Sequence, residues 1–148
     1  MEFLDGQQID ERGTAHNVDL FLTKDLEKAL RFSGESRDGI SSPQWSFEPS
    51  GGGYGNSQER RMGKVVTASN MVKAITDTIR NCDELNSKIL FQCYIDEMKD
   101  WQVATKLGYT KEHFSRQIKR SALVEFADRY EVYGRFYHVY EDLHVYLA

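Results

Sequence analysis

DWQVATKLGYTKEHFSRQIKR, residues Asp100 to Arg120, decides how the rest of the chain is read. Asp100 is placed to cap a helix with Trp101, Val103, Ala104 and Leu107 on its apolar face. Gly108 can take the left-handed backbone that ends that helix. Tyr109 packs back, and Thr110 caps a second helix that starts at Lys111. Ala104 falls where two helices cross closely and only a small side chain fits. Val103, Leu107, Tyr109 and Phe114 are the residues to fill the space between them. These residue types at these offsets predict a helix-turn-helix over 100–120.

At about 100° per residue, Phe114, Ile118, Ser121 and Ala122 share the inward face of the second helix. Glu112, Arg116, Lys119 and Arg120 fall on the opposite face, with His113 and Ser115 on its flanks. Arg offers a bidentate contact to guanine and Lys neutralises phosphate, so such a face suits a DNA groove. The plainer reading is a solvated charged face; the turn that precedes it favours DNA. Past Ala122 the same wheel turns Leu123, Phe126, Ala127 and Tyr130 outward. That apolar stripe needs cover from the C-terminal tail or from another subunit, and is read as a self-association surface. The tail, 131–148, is rich in tyrosine, with Glu141-Asp142 placed for a turn. A small β-hairpin and a helix both fit it.

Upstream, Val65, Val66, Met71, Val72, Ile75 and Ile79 form one stripe and Leu85, Ile89, Leu90, Tyr94, Ile95 and Met98 a second. They predict helices over Thr67–Arg80 and Asn86–Met98. Gly34 to Ser57 reads as loop: it contains SSPQWSFEPSGGGYGNS, with both prolines of the chain, which disfavours helix and strand alike. So long a loop is functional or a linker, and Trp45, Phe47 and Tyr54 call for a surface. GGGYG lacks the preceding strand and the Lys-Ser/Thr of a phosphate loop. Nearer the start, Asn17 is placed to cap a helix over Val18–Phe32 that Gly34 ends, and residues up to His16 read as loose. The expectation is a mainly α chain in three parts. An arm with one helix and the aromatic Pro/Gly-rich loop spans 1–57, a helical DNA-binding domain 58–130, and the tail 131–148.

The whole has 148 residues, 40% hydrophobic and 28% charged, with a net charge of -4. That suits one core and excludes a basic coat over the entire surface. Acids gather early (Glu2, Asp5, Asp10, Glu11, Asp19, Asp25, Glu27) and bases later (Arg60, Arg61, Lys64 and those from Lys99 on), pointing to an anionic partner for the later half. Cys82 and Cys93 sit in amphipathic runs and read as reduced core thiols. The scattered histidines supply no zinc spacing, so no metal or other cofactor is expected. With no signal peptide and no apolar run of spanning length, a soluble cytoplasmic protein without membrane contact is expected. No nucleophile–base pair or cofactor loop marks an enzyme.

Residues 81–130, from NCDELNSKILFQCYIDEMKDW through KLGYT to ALVEFADRY, resemble the C-terminal part of the ArpU family of phage transcriptional regulators and the similar RinA-type activators. The matching pieces are Ser87-Lys88-Ile89-Leu90, Tyr94, Asp100-Trp101, Ala104, Leu107-Gly108-Tyr109-Thr110 and Ala122-Leu123-Val124-Glu125-Phe126-Ala127. The loop is similar to that family's Ser-Pro and Gly-x-Gly-Tyr-Gly-Asn segment, so the resemblance spans roughly 41–130. It implies a helix-turn-helix like region four of bacterial sigma factors and activation of phage late genes in the host bacterial cytoplasm. The expected partners are double-stranded DNA, RNA polymerase and a second or further copy of the chain. The residues expected at the DNA are Lys99, Lys106, Thr110, Lys111, Glu112, Ser115, Arg116, Lys119 and Arg120. A DNA-packaging initiator like a small terminase, and a helical protein-interaction adaptor, are the alternatives.

Overall fold

The computed structural model of the chain describes residues 7–40 and 57–148, and these are mainly helical. The expected aromatic loop, with Trp45, Phe47 and Tyr54, lies outside the described residues. A helical rod opens the fold: α1 (Glu11–Leu20), a π-helical turn (Phe21–Asp25) and α2 (Leu26–Ser33). Gly34, at φ 75°, ends it as the sequence predicts. A short α3 (Arg37–Ile40) lies within the stretch expected to be loop; α4 (Ser57–Arg80) follows, its C-terminal end matching expectation and its start ten residues earlier. Next come α5 (Glu84–Leu90) with a π turn (Phe91–Ile95), and α6 (Asp100–Leu107). After a tight turn follow α7 (Lys111–His113), a third π turn (Phe114–Ile118) and α8 (Lys119–Phe136).

The rod starts at Glu11 rather than Val18. Asp10 is its cap, accepting from the Gly13 N–H at 3.0 Å. Asn17, the expected cap, lies inside the rod and donates through Nδ2 to the Leu143 carbonyl at 2.9 Å. The stretch around Thr14 and Ala15 looks loose in sequence because what buries it comes from the other end of the chain. The Asp10 N–H donates to the Val145 carbonyl at 2.7 Å and the Leu147 N–H to that of Gln8 at 3.0 Å. Ile9 and Tyr146 form an isolated antiparallel bridge. The tail read as 131–148 is thus helical over 131–136, as the end of α8, and beyond it is neither hairpin nor helix: it is an extended strap laid on the start of the chain.

α8 lies at the centre, against α1, α4 and α5, and α2 lies along α4. Val18, Phe21, Leu22 and Leu26 of the rod meet Val72, Ile75 and Ile79 of α4 and the inner face of α8 in one core. Each such side chain contributes about 1.5–3 kcal/mol by leaving water. The ring of Phe21 meets Tyr130 edge-on at 5.3 Å and Phe126 at 6.3 Å. Leu123, Phe126, Ala127 and Tyr130, expected as an outward stripe, are thus buried by their own chain. They are no surface for self-association.

The third π turn explains that difference. The Lys119 N–H bonds to the Phe114 carbonyl, an i→i+5 bond that brings residue 119 back over residue 114. One extra residue in a turn delays every later side chain by roughly 100°. Corrected by that angle, the stripe falls on the Phe114 side, where it is found.

Candidate nucleic-acid interface

α6, its turn and α7 form the corner that the sequence singles out. Gly108 has φ 83°, and the Tyr109 N–H donates to the Ala104 carbonyl at 2.9 Å. Thr110 caps α7, its Oγ1 accepting from the His113 N–H at 3.2 Å. Val103, Ala104 and Phe114 are buried, with Leu107 and Tyr109 packed against them. Asp100 does not cap α6. Lys99 occupies that position, and its N–H is satisfied by Gln102 Oε1 at 3.0 Å.

The cations divide into two groups. Lys99, Lys106, Lys111 and Arg116 are exposed and Arg120 is half-buried; none makes an ion pair among the described residues. Glu112, Ser115 and Thr110 are exposed beside them. Lys119, expected on this face, is not there. Its side chain is 15% exposed, and its ammonium lies 2.9 Å and 3.2 Å from the two Asp100 carboxylate oxygens. Asp19 Oδ1 is 3.9 Å away, and the ammonium sits over the Tyr94 ring, 5.1 Å from its centroid. The π turn is the cause, because it swings residue 119 inward after Phe114.

The surroundings of Lys119 form a polar knot. The Tyr94 hydroxyl donates to Asp19, and burial with that bond raises the Tyr94 pKa far above its ordinary value. Burial pushes the neighbouring Cys93 thiol up to about 11, with Lys119 opposing and Asp100 assisting. Cys82 is pushed up to about 12, again chiefly by burial. Both thiols stay protonated at neutral pH, the unreactive state of core cysteines.

Wheel reasoning also missed exposed groups. Gln117 adjoins Arg116 in the π turn and is exposed, and Trp101 is 52% exposed on α6. A regular wheel turns Gln117 toward Phe114, and Trp101 read as part of the apolar face of α6. Among the described residues no cluster of His, Cys, Asp and Glu could hold a metal ion, and no helix is long and apolar enough to cross a membrane. Comparison with protein-family models, curated proteins and solved structures finds no match for this chain.

Proposed function

We propose that the chain is a sequence-specific DNA-binding regulator of transcription, with α6 and α7 as its helix-turn-helix. One observation carries the reading: exposed cations with no ion pair among the described residues, Lys99, Lys106, Lys111 and Arg116, lie on a corner whose inner residues Val103, Ala104 and Phe114 are buried. A rigid corner presents them in fixed register, as base and phosphate contacts require. Arg116, with Gln117 and Ser115 beside it, reads base edges in the major groove. Lys99, Lys106 and Lys111 hold phosphates, as does the hydroxyl proton of Thr110, whose oxygen already serves as a cap. Arg120 sits at the edge of the same contact. The net charge of -4 keeps the rest of the surface off DNA.

One such corner reads only a few base pairs, so a second copy or RNA polymerase completes the site. The resemblance to ArpU and RinA-type regulators supports activation of phage late genes as the output.

The test is retention of sheared genomic DNA by the purified protein at near-physiological salt, followed by sequencing. Wild type is expected to enrich one short upstream site. Arg116→Ala/Lys111→Ala is expected to lose that preference, through Arg116, and to flatten the dependence of log affinity on log salt by about one, through Lys111. Failure of wild type to enrich any DNA, with or without polymerase, overturns the reading.

A further inference from the structure

We infer that Lys119 is a positioning residue, a charged latch that sets how the Arg116 face is presented, and not a contact to DNA. Its ammonium draws on three separate parts of the fold. Asp100 opens α6, Asp19 lies on α1, and Tyr94 belongs to the π turn after α5. Lys119 itself opens α8, at the residue where the third π turn closes. The apolar packing of α6 against Phe114 fixes the distance between the two arms of the corner. It does little to fix rotation about that contact, because apolar packing is not directional. The paired oxygens of Asp100 are directional, and they tie the first residue of α6 to the first residue of α8. Through Asp19 and Tyr94 the same ammonium ties the corner to the rod.

A lysine in this setting is held firmly. The Lys119 side chain is largely out of water while the carboxylates keep partial exposure, so removing its charge leaves Asp100 without its ion pair and beside an apolar stem. Arg116 lies three residues before Lys119 in the same helical run, so a rotation at the latch moves it directly.

The effect on DNA rests on the reading above, whereas the latch itself can be measured without DNA. Lys119→Met keeps the stem and removes the charge; Lys119→Arg keeps the charge. In amide hydrogen exchange of the free full-length protein, Lys119→Met is expected to exchange about tenfold faster over residues 100–118, and Lys119→Arg to restore protection. Asp100→Asn, a milder change, is expected to move the same segment in the same direction. In DNA binding, Lys119→Met is expected to weaken affinity about tenfold with the salt slope unchanged, and Lys119→Arg to recover it. Wild-type protection in both Lys119→Met and Asp100→Asn overturns the latch. A salt slope lowered by about one in Lys119→Met makes Lys119 a phosphate contact and overturns it as well. If wild type binds no DNA, the functional reading fails, and the exchange data still decide the latch.

Discussion

His144 holds the strap to α8. Its Nδ1 lies 2.6 Å from Asp142 Oδ1 and its Nε2 2.7 Å from Asp128 Oδ1. The Asp128 bond lifts its pKa to about 9, burial opposes the rise, and Asp142 adds to it. A histidine whose folded value exceeds its unfolded one contributes fully below the unfolded value and stops contributing as pH rises through about 9. The stability margin of wild type over His144→Asn is expected to shrink steadily between about pH 7 and pH 10, measured by urea unfolding. At Asp77 folding favours the neutral form, so its contribution also falls as pH rises. Burial raises its pKa against the hydrogen bond from the Tyr137 hydroxyl at 2.7 Å. Ionised Asp77 therefore opposes folding, and Tyr137→Phe removes the donor that eases it. That variant is expected to cost about 1–3 kcal/mol at neutral pH and less near about pH 4, by the same unfolding assay. Neither pair was legible in the sequence. Asp77 and Tyr137 are 60 positions apart, and nothing local about a tyrosine names its acceptor.

At the scale of elements, local signals read well and phase did not. Gly34 and Gly108 mark helix ends because only a residue without a Cβ enters the left-handed region cheaply. Thr110 marks a helix start because its hydroxyl reaches the third amide beyond it. The corner between α6 and α7 was legible for these reasons. The faces of α8 were not, since a wheel assumes a constant angle and the π turn breaks it. Deleting Gln117, which is exposed and sits in that turn, is expected to convert it to ordinary α-helix and leave α8 in phase. Stability should stay within about 2 kcal/mol of wild type, with a single cooperative transition. Deleting Val132, which is 64% exposed in the regular part of α8, turns Tyr137 away from Asp77. The Val132 deletion is expected to abolish cooperative unfolding.

At the scale of the molecule, the strap turns a set of helices into a closed object. It buries Leu143, occupies Asn17 and Thr14, and supplies the Val145 carbonyl to the start of the rod. Removing residues 138–148 is expected to lower stability by about 3 kcal/mol or more, read by thermal unfolding alongside mass in solution. A truncated chain of unchanged stability and halved mass would instead assign the tail to a contact between copies. The apolar periodicity of each helix was enough to predict a mainly α chain. The order of packing was not, because the rod's cover arrives from more than a hundred residues away. That distance sets a timetable. At about 5–20 residues per second, roughly 7–27 s of synthesis separate Asp10 from Val145. Through all of that interval the nascent rod lacks its strap, and through most of it the rings of Phe126 and Tyr130. The first helix made is among the last to be finished, and a ribosome stalled before Val145 would hold a chain with its oldest helix still uncovered.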